Sequence, residues 1–215
     1  MAPPFFLFAP GAGAPSSSAW MQSWRRRLSA LGAVQTLDYP YMQKGPGQGA
    51  ARRRPDPPAV LIAAHQEALA QALPQAQAQA ADGPVVLIGK SMGSRIGCHV
   101  AAAGVPGLPP ERLRLVCLGY PLKSASSGAL RDQVLLQLAT PILFVQGTRD
   151  PLCPLDVLSA VRAKMTAPNQ LHVVEGGDHS LAVSAQERKR AGLTQNDSDA
   201  NVLEVIRRFV TGVAP

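Results

Sequence analysis

Cysteine is scarce in this chain: three among 215 residues, at positions 98, 117 and 153. So few and so scattered, they cannot build a disulfide framework, and reduced thiols in a cytoplasmic protein are expected. No pair of Cys or His has zinc-ligand spacing, so neither a metal nor any other cofactor is expected. Aromatic residues are only 5% of the chain. They do not interleave with the basic runs, as a base-stacking surface for nucleic acid requires. Acidic residues are outnumbered, 14 against 21 Lys and Arg, for a net charge of +7. The excess sits in short runs, Arg25-Arg26-Arg27, Arg52-Arg53-Arg54, Arg188-Lys189-Arg190 and Arg207-Arg208. Charge alone gives non-specific attraction, so these read as solvated faces and loops. Long apolar runs are missing too: none approaches the roughly 20 residues of a membrane helix. The opening MAPPFFLFAPGAG has no basic start, and its apolar part falls short of the roughly 7 to 15 residues of a secretory signal. It reads as a first strand.

What is present is a chain 46% hydrophobic and 16% charged, suited to one domain over 1–215 with a substantial core. Six apolar runs fit strands buried on both faces: Phe5–Ala9, Val34–Leu37, Val85–Ile88, Leu113–Leu118, Pro141–Val145 and Leu171–Val174. Helical stripes lie between most of them. Trp20, Trp24, Leu28 and Leu31 form one; Val60, Ala64 and Ala68 begin another, expected to break near Pro74; Leu155, Leu158 and Val161 suggest a third. A last helix carries Val202, Ile206, Phe209 and Val210, with Asp and Asn residues ahead of it as candidate caps. Met42 to Pro58 reads as a mobile loop and Gln75 to Asp82 as low-complexity sequence. Alternation of strand and helix predicts a mostly parallel sheet covered on both faces. Sites in such sheets form beyond the carboxyl ends of the strands.

The stretch VVLIGKSMGSRIG, Val85 to Gly97, admits two readings there. A phosphate-binding loop of the Gly-x4-Gly-Lys-Ser type needs glycine five positions before Gly89. That position is Pro84, followed by four apolar strand residues, so nothing could wrap a phosphate. The other reading is a Gly-x-Ser-x-Gly elbow, in which a strand turns sharply into a helix and presents Ser91. Gly89 and Gly93 supply the small residues such a turn needs, and Gly97 would let the helix sit close to the sheet.

A serine hydroxyl is a poor nucleophile without a base held by an acid. Asp150 follows the fifth run in QGTRD, and His179 follows the sixth in EGGDH. With Ser91 they share one sheet edge, on three different loops. His65, His99 and His172 fall within helices or a strand and read as structural. Asp178 and Asp38 remain alternative acids, with Asp38 better suited to fixing loop backbone. An oxyanion hole calls for backbone N–H donors: Met92, and either Ala12 or Gly11 in the loop after the first strand. Tyr39, Tyr41, Lys90 and Tyr120 lie near strand ends and are candidate substrate-binding residues. Arg149 stands close by, and Cys153 reads as a packed thiol.

These segments together, PGAGAP, DYPY, GKSMGSR, GYPLKS, QGTRDPLCP, GGDHSL and AGLTQ, resemble the α/β-hydrolase superfamily over nearly the whole chain. The resemblance is nearest to its small dienelactone-hydrolase-like branch. That branch includes the hydrolase-like subunit of a nuclear histone-acetyltransferase complex and testis-expressed relatives. It implies a three-layer α/β-hydrolase fold with about six strands, and catalytic roles for Ser91, Asp150 and His179. Pro10-Gly11 stands where many relatives have His-Gly. Ser91 replaces the cysteine nucleophile of dienelactone hydrolases proper, and the two strands preceding the oxyanion strand in longer relatives are not expected. Only Gly119 to Thr140 separates the fourth and fifth runs, too little for a lid domain, so the site should be shallow. The expected activity is hydrolysis of a small ester or thioester, with a small-molecule acyl substrate as partner. The rival is a non-catalytic scaffold that keeps the fold; a peptidase lacks an amine-anchoring acidic cluster.

Overall fold

Each of the six apolar runs falls in a strand, but only the four central ones are buried on both faces. The edge strands Ala33–Thr36 and Asn169–Val174 are partly exposed, and the alternation of side chains sorts the buried residues into two cores. The computed structural model describes residues 2–43, 54–80 and 82–212. The elements run β1 (Phe5–Ala9), α1 (Ala19–Leu28), β2 (Ala33–Thr36), α2 (Pro40–Gln43), α3 (Pro58–Gln79), β3 (Val85–Lys90) and α4 (Met92–Ala102). They continue with β4 (Leu113–Leu118), α5 (Gln133–Leu136), β5 (Ile142–Gly147), α6 (Leu155–Arg162), β6 (Asn169–Val174), α7 (Ala185–Ala191) and α8 (Gln195–Thr211). The strands make one sheet in the order β2-β1-β3-β4-β5-β6, and every pairing in it is parallel.

One face of the sheet gives Phe5, Leu7 and Leu87 to a core closed by Leu61 and Leu69 of α3, Ile96 and Val100 of α4, and Leu158 of α6. The opposite face gives Phe6, Phe8, Val86 and Ile88 to a core closed by Met21, Trp24 and Leu28 of α1 and Val202 and Ile206 of α8. The result is three layers, the parallel sheet covered on both faces that the runs and stripes predict, in the arrangement that the hydrolase resemblance implies. Between β4 and β5 stand only the short α5 and an isolated bridge between Lys123 and Leu130, with no inserted domain.

The differences from expectation are local. Helix α3 does not break at Pro74 but runs through it to Gln79. Proline there forfeits a backbone hydrogen bond and crowds the preceding turn, at a cost of about 3 kcal/mol. Leu73 and Ala76 on either side are buried at 7% and 2% exposure, and their burial outweighs that cost. The segment read as low-complexity is therefore mostly helix. Of the loop read from Met42 to Pro58, Met42 and Gln43 end α2, and residues 44–53, with Arg52 and Arg53, lie outside the described residues. Helix α8 is capped not by the Asp and Asn residues, which lie inside it, but by Thr194. Its hydroxyl accepts from the Asp197 N–H while the Asp197 carboxylate accepts from Thr194 N–H.

His65, read as structural, is fully buried on α3 with Nδ1 3.3 Å from the Tyr39 hydroxyl and no partner for Nε2. Burial lowers its pKa from 6.5 to about 4. The unfolded chain therefore binds more protons than the folded one between those values, and stability falls as pH drops through that window. The loss attributable to His65 is about 3 kcal/mol when complete. Urea unfolding at pH 7 and pH 4 should show the native chain losing more stability than His65→Gln, by an amount approaching that figure.

Candidate active site

Strand β3 carries its pairing with β4 one residue past its end, since Ser91 N–H donates to Leu118 O at 3.1 Å. The chain then reverses into α4 with Ser91 at φ 50, ψ −113, a region side-chain-bearing residues avoid. The glycines around it are required by close approach. A Cβ on Gly89 would stand 2.3 Å from the Gly93 carbonyl carbon, and one on Gly93 would stand 2.6 Å from Ala9 O. Gly97 is different: a Cβ there meets only ordinary contacts at 3.7 Å or more, so the close packing expected of it is not needed. Ser94, the other serine of this turn, is buried with its hydroxyl donating to Gly89 O, which leaves Ser91 as the presented one.

His179 comes to Ser91 on the loop after β6. That loop crosses the ends of β4 and β5 so closely that a Cβ on Gly119 would lie 2.6 Å from His179 O, and one on Gly147 2.2 Å from Gly177 O. His179 Nδ1 lies 2.7 Å from Asp150 Oδ2, and His179 Nε2 lies 2.8 Å from Ser91 Oγ. An ionised carboxylate only accepts, so Nδ1–H is the donor and Nε2 offers its lone pair to the serine hydroxyl. The Asp150 side chain has no exposed surface, while that of His179 is 23% exposed. Asp150 also accepts from Leu152 N–H at 2.8 Å through Oδ1 and from the Gln146 side-chain amide through Oδ2. Gln146, fully buried at the end of β5, is aimed by accepting from Tyr120 N–H at 3.0 Å.

The alternative acids are occupied elsewhere. Asp38 accepts from Ser16 N–H at 2.6 Å and Ser16 Oγ at 3.0 Å, pinning the loop after β1. Asp178 accepts from the N–H groups of Ser180 and Ala182 and shapes the His179 loop. That loop is also held through Ser180, whose carbonyl accepts from Trp20 Nε1 at 2.9 Å and whose hydroxyl accepts from Lys90 Nζ at 2.9 Å. Lys90 stands 5.0 Å over the Trp20 ring, and burial lowers its pKa despite the nearby Asp178 and Asp150. Cys153 is buried, its thiol pushed up to about 12 by burial and then by Asp150.

A cavity of about 380 Å³ opens beside Ser91, with Ala12, Leu61, Met92, Arg95, Pro121, Arg131 and Leu152 among its walls. Ala12 and Met92 thus line it together with Ser91, and Gly11 is adjacent to the serine, where a Cβ would be 3.5 Å from Ser91 Cβ. The four expected substrate-binding residues are not on its described walls. Tyr39 is buried against His65, and Tyr120 is buried with its hydroxyl donating to Arg131 O at 3.1 Å. Tyr41 donates to Ala12 O at 3.0 Å, and burial followed by Asp56 and Asp38 raises its pKa to about 12. Lys90 is turned to Trp20 and Ser180, and Arg149 is exposed. Proximity to a strand end told which loop a residue occupies but not where its side chain turns. Sequence reasoning missed Gln146, Arg95 and Arg131. A lone Gln closing an apolar strand was a usable signal, as was Arg95 one helical turn past Ser91.

The elbow yields a stability prediction. Gly89→Ala and Gly93→Ala should each cost about 3 kcal/mol or more, because backbone rather than a flexible side chain blocks the new methyl. Gly97→Ala should be neutral or stabilise by up to about 1 kcal/mol, as alanine in a helix does. Denaturant midpoints of the three variants check this contrast.

Solved structures with the same fold share little sequence with the chain. An alpha-beta serine hydrolase homologue from Coxiella burnetii is 18% identical with a TM-score of 0.59, covering 100% of this chain and 86% of its own. Dienelactone hydrolase from Anabaena variabilis is 16% identical with a TM-score of 0.63, covering 98% and 87%. A cold-adapted esterase from an Arctic intertidal metagenomic library is 16% identical with a TM-score of 0.61, covering 97% and 83%. At such identities the likeness is one of fold. The family model for the alpha/beta hydrolase domain matches residues 2–211. Over that length, and with its elbow, sheet order and strand-end loops, the chain belongs to the alpha/beta hydrolase domain family.

Proposed function

We propose that this chain is a serine hydrolase that cleaves a small ester, thioester or related acyl bond through an acyl-serine intermediate. The observation that carries the reading is the unbroken hydrogen-bond chain Ser91–His179–Asp150, at 2.8 and 2.7 Å, on a strained elbow. His179 Nε2 accepts the Ser91 proton as Oγ attacks the substrate carbonyl, and Asp150 stabilises the imidazolium that forms. The Met92 N–H, at the start of α4, and the Ala12 N–H, with Gly11 beside it, receive the developing oxyanion. Tyr41, bonded to Ala12 O, holds that loop. His179 then returns the proton to the leaving group. Water activated by the same imidazole releases the acid and restores Ser91.

The motif resemblance supports a place in the small dienelactone-hydrolase-like branch, alongside the hydrolase-like subunit of a histone-acetyltransferase complex. Three free cysteines suit a cytoplasmic site of action, and residues 1–215 would work as one catalytic domain without a cofactor. No described helix is long and apolar enough to cross a membrane.

Fluorophosphonate labelling tests the reading. The native chain should label, and Ser91→Ala and His179→Ala should not, with all three folded by circular dichroism. A folded native chain that stays unlabelled favours the scaffold reading instead. Asp150→Asn gives a second test. Each described partner of the carboxylate is an N–H donor, so the asparagine NH2 must face a donor in either orientation. Ester turnover should fall about 10³- to 10⁴-fold with loss of stability as well. A drop of less than about tenfold would remove Asp150 from the mechanism.

A further inference from the structure

Two arginines, Arg95 and Arg131, line the cavity beside Ser91, and no ion pair or side-chain hydrogen bond among the described residues includes the guanidinium of either. Arg95 lies one turn along α4 from Ser91, its N–H donating to Ser91 O at 3.3 Å. Its Nε is buried with no hydrogen-bond partner. Arg131 enters from the loop between β4 and β5, with its backbone fixed on both sides. Its N–H donates to Leu122 O at 2.8 Å and its carbonyl accepts from Tyr120 Oη at 3.1 Å. Both residues are half-buried and both line the cavity with Ala12, Ser91 and Met92. Burial, and after it the charge of Arg131, lowers the pKa of Arg95. The one carboxylate on the described walls, Asp56, accepts the Tyr41 N–H at 2.9 Å. Residues 44–53, 81 and 213–215 contain no Asp or Glu side chain, so they cannot supply a carboxylate side chain to neutralise the pair.

Partly buried like charges without counter-ions oppose folding. An anion between them reverses the sign of that interaction, and the guanidinium fork matches a carboxylate in plane and spacing. Apart from Ser126, the remaining walls, Leu61, Met92, Pro121 and Leu152 among them, are apolar. They suit a short aliphatic chain joining that carboxylate to the reacting carbonyl. We propose that Arg95 and Arg131 form an anion subsite beside Ser91, and that the acyl substrate carries a carboxylate which binds there. The inference rests on the serine-hydrolase reading. In the reaction the ester C–O bond of a dicarboxylic half-ester breaks, and water supplies the oxygen of the new carboxylate. The alcohol leaves with a proton, and one further proton is released at neutral pH.

The test compares the 4-nitrophenyl half-ester of adipate with the same compound capped as its methyl ester, so that chain length is kept and charge removed. The native chain should favour the anionic ester in kcat/KM by roughly tenfold to a hundredfold. The preference should shrink with added salt. Arg95→Gln and Arg131→Gln should each bring the ratio toward one, and Arg131→Lys should keep part of it. Thermal unfolding checks each variant; should Arg95→Gln unfold, Arg131→Gln carries the test, since its backbone contacts survive. A native chain without charge preference, or a preference unchanged in the folded Gln variants, overturns the subsite while fluorophosphonate labelling of Ser91 leaves the hydrolase reading standing. Loss of both labelling and turnover overturns the two together. Adipate should protect Ser91 from labelling better than inorganic phosphate at equal concentration, and the reverse order would overturn the carboxylate assignment.

Discussion

Everything at this site depends on how closely β1, β3 and the start of α4 approach one another. Gly93 lies against Ala9 O and Pro10 O, and Gly89 lies against the Gly93 backbone. Those contacts leave no room for a relaxed turn, so Ser91 is held at φ 50 at a cost of about 1–3 kcal/mol. Strand pairing continued to Leu118 O and the buried face of α4 outweigh that cost. The same crowding brings the loop after β1 beside Ser91, where Asp38 pins it through Ser16 and Tyr41 through Ala12. One steric constraint therefore sets both the exposure of the hydroxyl and the position of the amides next to it.

The histidine loop repeats the device. Among the described residues the only other non-glycine with positive φ is Leu181, at φ 63, two residues past His179. Its side chain is 1% exposed and sits in the core beneath α1 and α8. Burying a leucine is worth about 1.5–3 kcal/mol, against about 1–2 kcal/mol for the left-handed backbone. The core thus holds the loop in a conformation it would otherwise leave. Trp20 and Lys90 clamp Ser180 from the far side. The imidazole is fixed from the core face and from solvent, with Asp150 and Gln146 behind it.

How far the sequence disclosed this follows from what each signal measures. Runs such as Val85–Ile88 and Leu113–Leu118 marked strands because both faces must be apolar there, and alternation with helices implied the parallel order. The positions of Ser91, Asp150 and His179 were legible because each follows a run at the same edge, and backbone topology alone places them. Tyr39, Tyr41, Lys90 and Tyr120 follow runs at that edge too, yet their side chains turn to His65, Ala12, Trp20 and Arg131. Strand-end position does not encode the rotamer, and burial of a large ring decides it. Pro74 and Gly97 misled for a related reason. Residue type predicted a break and a close approach; neighbouring burial offset the first, and at the second a Cβ would meet only ordinary contacts.

An unsatisfied polar atom is a weak sign of function when taken alone. His65 Nε2 and Arg188 Nε are also buried without partners. His65 is deep in the α3 face of the core, and Arg188 lines a separate hollow near β6; neither meets Ser91. Arg95 differs in what surrounds it: a second guanidinium, a cavity, and a hydroxyl one turn away. A folded chain is locally consistent across most of its length, and departures are tolerated where something else depends on them. Here the strained serine, the strained leucine, the partly buried Lys90 and the uncompensated Arg95 all fall at the carboxyl edge of one sheet. Each alone could be an accident of packing. Their coincidence with the Ser91–His179–Asp150 hydrogen bonds is what supports the proposed chemistry at that edge.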